Sequence, residues 1–380
     1  MIGTLLKLIF SKWLSIKRWN NFPRIEDITP LDNTWFVIHI SLFLAEIEEK
    51  NWKKIDKEYI IKKILFDLFK ALILSDINSW TRDYIIKEDE VIMQELEDKV
   101  LKYILSLDWE DFLIADIKAI FSKEDKNIED DIISSAKKFA WYHECLVNSR
   151  VFLFTYDVAM EQIQEYLENN KKKLYSLWVL LENDNYKKYL WHIRRLSHAE
   201  RWSWKQRNYP ISVMSHLTII TFISYLLASI ENNSWEDYDV LEIMLKSIYH
   251  DIPEAITGDI ITPTKNAVKW FREVLEKVEE NMMEDYFFVY IDDDYKDKVS
   301  KYMLDPFSWK HWDLAKKADI FSALFEAKIE RDGWNTEFDI IYKNIKKQVN
   351  TFSWISSDYF LKNVIMNFEE DISDIDLTKV

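Results

Sequence analysis

Apolar residues recur three and four positions apart along most of the chain, the spacing of amphipathic helices. Segments with this period, rich in Leu, Ile, Lys, Glu and Ala, run over Lys57 to Leu74, Ile133 to Asn169, Ser212 to Ile230, Val240 to His250, Asn266 to Asp285 and Asp313 to Arg331. Strand-like alternation is scarce, with Phe287 to Ile291 the one short candidate, so the expected fold class is all-α. Near the N-terminus, Leu5, Leu6, Leu8, Ile9, Phe10, Trp13, Leu14 and Ile16 are interleaved with Lys7, Lys12, Lys17 and Arg18. Residues 1–26 are therefore read as an amphipathic segment that packs on the protein. Lys7 and Lys12 interrupt any signal-peptide core, and no run of 18 apolar residues occurs, so no transmembrane segment is expected. Polar stretches at Asn169 to Lys173 and Asn183 to Lys188 separate two helical halves, 27–180 and 181–366, and residues 367–380 form an acidic tail.

Charge narrows the function classes. Lys plus Arg total 50 and Asp plus Glu 66, a net charge of −16. A surface that acidic repels phosphate backbones, which excludes general nucleic-acid binding and leaves small phosphorylated substrates docking in a local basic pocket. The stretch His192 to Arg201, with Arg194, Arg195 and His198, is a candidate for that pocket. The single Cys145 cannot form an internal disulfide, which fits a reducing, cytoplasmic setting. The sequence leaves a homo-oligomer open.

One composition figure is abnormal. A chain of 380 residues has 3 Gly and 17 Trp, where about 27 Gly would be ordinary. Several Trp stand among small polar turn residues, as at Asn78 to Thr81 and Asn233 to Glu236. The expectation is a gene in which UGA specifies glycine, written out with UGA as Trp; a Trp-rich surface is the alternative. On that expectation Trp80, Trp204, Trp235, Trp309, Trp312 and Trp334 belong in loops or at helix ends, and Trp202 is a genuine Trp. Even with every Trp read as Gly, neither GxGxxG nor GxxxxGK[ST] occurs, so the dinucleotide and P-loop phosphate cradles are excluded.

Candidate chemistry gathers in the second half. His216 sits on an apolar helix, His250 and Asp251 stand where Pro253 must end another, and Asp319 lies among small residues on a third. An Asp buried there needs a partner or a metal. Two imidazoles and two carboxylates from three helices suit one divalent ion of the Mn, Co, Mg, Zn or Fe class, with positions open for water and substrate.

At these residues the sequence resembles the HD superfamily of metal-dependent phosphohydrolases, whose pattern is a His, a His-Asp doublet and a distant Asp. The block from His250 to Lys265 is most similar to the bacterial 5′-deoxynucleotidase group within it, and Arg201-Trp202 resembles that group's Arg-Trp pair. The resemblance implies His216, His250, Asp251 and Asp319 as metal ligands, and Glu254 and Asp259 near the attacking water. It also implies Arg201, Trp202 and Lys265 at the substrate, a nucleoside 5′-monophosphate. Met214-Ser215 stands where small members often carry an acid before the first His. The alternative class is a catalytically silent nucleotide sensor, or a regulatory interaction protein built on an HD domain. Finally, His39, Asp76 and Ala140 echo the spacing of His216, Asp251 and Asp319, which suggests that the first half is a degenerate HD-like domain.

Overall fold

The computed structural model describes residues 2–74, 77–122, 126–260, 262–265, 267–308 and 310–366. Among them every regular element is helical, and one isolated bridge joins Glu200 to Ser212. Several of the longer helices begin at a side-chain cap. Asp56 caps Lys57–Ile73, Ser212 caps Val213–Asn232 and Asp239 caps Val240–Tyr249, each accepting from a backbone N–H of the first turn. Thr29 opens Pro30–Lys50 with a capping box that Asp32 closes. The Val240–Tyr249 helix stops at His250, three residues before Pro253, as the proline requires.

Three readings need correction. The expected helix Ile133 to Asn169 is two helices, Ile128–Asn148 and Asp157–Asn170. Val151, Leu153 and Phe154 keep the apolar count high across the break although all three are exposed. The helix expected from Asn266 begins at Phe271, behind Trp270 with its φ of 70°. Phe287 to Ile291 contains a 3-10 turn, Phe288–Tyr290, whose apolar run serves burial of Phe287 and Phe288 rather than a strand. The acidic tail lies outside the described residues.

The Val213–Asn232 helix is the axis of the molecule. By length and composition it could cross a membrane, but 94% of its apolar window is buried inside the protein, as befits a core helix. It packs against Pro30–Lys50, Val240–Tyr249 and Trp312–Asp332. At its start the buried Asp32 carboxylate accepts from the hydroxyls of Ser212 and Ser215, the latter at 2.7 Å. The Trp35 indole donates to the Ile248 carbonyl at 3.1 Å, so the two halves share one continuous core. The N-terminal segment joins that core: Ile2–Leu8 and Ile9–Trp13 are helical, and Phe10 is buried 6.0 Å from the Phe325 ring.

The tryptophans have an unusual backbone. Eight non-glycine residues among those described have positive φ, and six are Trp19, Trp52, Trp202, Trp235, Trp270 and Trp334. The left-handed region costs an L-residue roughly 1–2 kcal/mol, a strain that glycine would not carry at these backbone positions. Trp235 and Trp334 are almost fully exposed, Trp204 lies in a turn and Trp312 opens a helix. Trp80 is the second residue of Ser79–Glu88, and Trp309 lies outside the described residues.

Candidate metal centre

Three helix segments bring two imidazoles and two carboxylates together. His216 is fully buried on the first turn and a half of the Val213–Asn232 helix, with Nδ1 2.9 Å from Glu326 Oε1. The carboxylate can only accept, so Nδ1 carries the proton and Nε2 the lone pair. His250 repeats the arrangement: its Nδ1–H donates to the Ser247 carbonyl at 3.0 Å. Both Nε2 atoms are buried with no hydrogen-bond partner. Asp251 Oδ2 lies 3.2 Å from His250 Nε2 and 3.9 Å from His216 Nε2. Donor atoms of His216, His250 and Asp251 all fall within 4.8 Å of one another. Asp319 Oδ1 is 3.5 Å from His216 Nε2, while its second oxygen takes the Lys316 ammonium at 2.8 Å. Two buried imidazole lone pairs aimed beside carboxylates are costly alone, and a divalent ion with N/O preference fits the set.

Glu326 organises the next layer. Fully buried, it accepts from His216 Nδ1 and, through Oε2, from the Trp202 indole at 2.8 Å. Its Oε1 lies 3.3 Å from Arg201 Nε and its Oε2 3.4 Å from Arg207 Nη1. Burial opposes its charge, but Arg201, His216 and Arg207 outweigh that and hold its carboxyl well below the ordinary range. Arg201 also reaches Asp251 Oδ2 at 3.7 Å. Burial works against Asp251 too, yet His250, His216 and Arg201 hold its carboxyl down at about 2.

Glu254 goes the other way. Burial, with Asp251 and Asp259 nearby, pushes its carboxyl well above the ordinary value, and Arg201 and Lys265 only partly oppose this. Its Oε2 is buried without a partner. Gly258, at φ 71°, turns the chain after the short Glu254–Thr257 helix. Asp259 then reaches back to accept from the Trp202 amide at 3.4 Å. Trp202 thus has a left-handed backbone and a working indole at once.

All nine residues singled out in the sequence fall in this region, and the structure adds four. Glu326, Ser322, Lys316 and Arg207 touch the ligands or their partners. Glu326 lies two turns after Asp319 on the same face of the Trp312–Asp332 helix, a spacing that could have found it. The basic cluster upstream is largely spent on acids: Arg194 pairs with Glu26 and Glu144, and His198 with Glu26. His311 accepts from the Asp239 amide at 3.3 Å. In the first half His39 bonds the Tyr189 hydroxyl and lies against Trp35, while Asp76 lies outside the described residues.

A family model described as 5′-deoxynucleotidase YfbR-like matches residues 7–181 and 188–368. Similar proteins include the 5′-deoxynucleotidase PM0747 of Pasteurella multocida, 24% identical over 185 residues, which are 48% of this chain and 94% of that protein. The 5′-deoxynucleotidase ECA3034 of Pectobacterium atrosepticum is 24% identical over 197 residues, 48% of this chain and 93% of that one. An HD-domain phosphohydrolase of known structure, lin2634 from Listeria innocua, aligns with TM-score 0.44 and 23% identity over 48% of this chain and 88% of its own.

Proposed function

The chain belongs to the YfbR-like 5′-deoxynucleotidase family, and from that premise we propose that it hydrolyses the phosphate monoester of a nucleoside 5′-monophosphate with one divalent metal. The observation that carries this reading is the pair of buried, partnerless Nε2 atoms of His216 and His250 beside Asp251 and Asp319. Those four side chains would hold the ion. Once bound, a divalent ion supplies Lewis-acid polarisation of a phosphoryl oxygen and a water of lowered pKa. Arg201, embedded among Glu326, Asp319, Asp251 and Asp259, brings the fixed positive charge that a phosphate needs. Lys265 adds a second cation on the Glu254 side.

Glu254 is the proton donor. Kept neutral by burial and by its acidic neighbours, it can protonate the departing nucleoside oxygen as the P–O bond breaks. Asp259 serves by raising Glu254 and by fixing the Trp202 backbone. The substrate class rests on the names of the relatives, both 5′-deoxynucleotidases.

The test is phosphate release from a panel of ribo- and deoxyribonucleoside 5′-monophosphates by the full chain loaded in turn with Mn, Co, Mg and Zn. Release is expected with at least one metal, and none from His250→Ala or Asp319→Ala at unchanged helical circular dichroism. Full activity in either variant would remove the site; release from sugar phosphates but no nucleotide would remove the substrate.

A further inference from the structure

The two halves repeat the same contacts at a nearly constant separation. Arg18 Nε meets Glu144 at 3.1 Å as Arg201 Nε meets Glu326 at 3.3 Å. The Trp19 indole donates to Glu144 at 2.6 Å as the Trp202 indole donates to Glu326 at 2.8 Å. The Ile25 amide bonds Asn148 and the Asn208 amide bonds Glu330, both at 2.8 Å. The Asp56 amide meets Glu129 at 2.9 Å and the Asp239 amide meets His311 at 3.3 Å. The Ser176 amide donates to the buried Glu48 at 2.6 Å, and the Ser356 amide to the buried Glu231 at 2.7 Å.

Residues 18, 19, 25, 48 and 56 precede their counterparts by 183 positions, residues 129, 144 and 148 precede theirs by 182, and residue 176 precedes its own by 180. Five contacts whose offset shortens by only three residues along the chain fix the equivalence, and it differs from the one the spacing of His39, Asp76 and Ala140 suggested. Opposite His216, His250, Asp251 and Glu254 it places Asn33, Asp67, Leu68 and Ala71. Opposite Asp319 it places Lys137.

The counterparts of His250 and Asp319 form an ion pair. Lys137 Nζ lies 2.7 Å from Asp67 Oδ2, with Lys63 3.4 Å from the other oxygen. Leu68 is buried in the core, and no imidazole remains at any of these positions. We propose that residues 7–181 are a metal-silent second copy of the phosphohydrolase fold, in which the Lys137–Asp67 ion pair stands where the active copy holds its ion. One carboxylate already neutralised by two ammonium groups, without imidazole, is no site for a divalent cation. The copy keeps the Arg18–Trp19–Glu144 clamp and loses the acid, since Ala71 replaces Glu254. Its Asp32 braces the active copy through Ser212 and Ser215.

The inference rests on the metal reading of the second half, and metal counting separates the two. Full-length protein is titrated calorimetrically with Mn, and bound metal is counted by elemental analysis after dialysis. One equivalent per chain is expected, falling to none in His250→Ala/Asp251→Ala. Two equivalents, or one retained in that double variant, would overturn the silent copy while leaving a metal enzyme standing; no metal in the wild type would overturn the function proposed above, and with it any distinction between the copies. Urea unfolding of Lys137→Met, Asp67→Asn and their double variant provides the second measurement. The double variant should lose less than the two single losses added together; additive losses would show that the pair does not hold the silent site.

Discussion

Replacing Glu326 by Gln tests whether that carboxylate, absent from any motif, holds the site in shape. Both oxygens are committed, Oε1 to His216 Nδ1–H at 2.9 Å and Oε2 to the Trp202 indole N–H at 2.8 Å. A glutamine offers one carbonyl and one NH2, so with the NH2 toward Trp202 an N–H faces another N–H, and with it toward His216 the imidazole must give up its Nδ1–H tautomer to accept. A stranded fully buried donor costs about 1–3 kcal/mol, and the tautomer change turns an N–H toward the metal side instead. The charge is lost as well, but Arg201 keeps Asp251 at 3.7 Å and Arg207 keeps Glu330 at 3.0 Å. The further loss therefore stays below the roughly 3–5 kcal/mol of a fully stranded buried charge, and the sum is about 2–4 kcal/mol. His216 also loses the partner that fixes its tautomer, so Mn affinity should fall about 10- to 100-fold. Urea unfolding of metal-free protein at neutral pH measures the first quantity and calorimetric titration with Mn the second. A loss under about 0.5 kcal/mol with unchanged Mn affinity would refute the assignment, since surface-like tolerance is impossible for a group this committed.

Glu254→Gln should keep one Mn per chain and lose turnover by about 10²- to 10⁴-fold, because an amide fills the space but donates no proton; unchanged phosphate release would make Glu254 structural. The Asp67 carboxyl resists ionisation through burial but is held down at about 2 by Lys137, Lys63 and Lys70. Its pKa being depressed, its contribution to stability is complete above about pH 4 and disappears as pH falls toward 2, roughly 1 kcal/mol after allowing for partial exposure. Urea midpoints of wild type and Asp67→Asn should therefore converge over that window, and parallel curves would contradict the pairing. Trp52→Gly and Trp235→Gly should each raise the Tm, since up to about 1 kcal/mol of backbone strain is relieved, and peptide mass spectrometry of protein from its native host should find glycine there. Tryptophan at both sites would end that idea.

Much of this molecule was legible from the residues, for identifiable reasons. His250 and Asp251 are found because Pro253 dictates where their helix stops, and His216 because it shares the chain with that doublet and a distant Asp, the pattern of the HD superfamily. Ser212, where one periodic segment begins, caps that helix in the structure. What stayed hidden depends on pairing across the chain. Glu326 reads as one more glutamate on an amphipathic helix until the fold sets it against a histidine 110 residues away. The basic run around Arg194 looks available for phosphate, and only the folded chain reveals that Glu26 and Glu144 occupy it. The register of the two halves was missed for the same reason: helical sequence yields chance matches at several offsets, whereas hydrogen bonds allow one. Ser215, which stands before His216, bonds the Asp32 carboxylate of the other half at 2.7 Å.

The repeated contacts also sort the tryptophans. Trp19 and Trp202 occupy equivalent positions, both left-handed, and both indoles donate to a buried glutamate. Glycine would satisfy their backbone and abandon Glu144 and Glu326, so the side chain is needed there despite the strain. Trp52 and Trp235 are equivalent too, but they are 97% and 99% exposed and donate nothing from the ring. What they do share is a helix ending: the next residue's amide returns to the carbonyl five positions back, Lys53 to Glu48 at 3.2 Å and Glu236 to Glu231 at 3.3 Å. Asn335 returns to Glu330 at 2.9 Å behind Trp334 in the same way. That bond closes a helix only when the residue before it is left-handed, the position at which glycine is strongly favoured. A residue kept in two copies for its ring should touch something in at least one of them. At 52, 235 and 334 the fold asks only for a positive φ, and at 19 and 202 it asks for an indole as well.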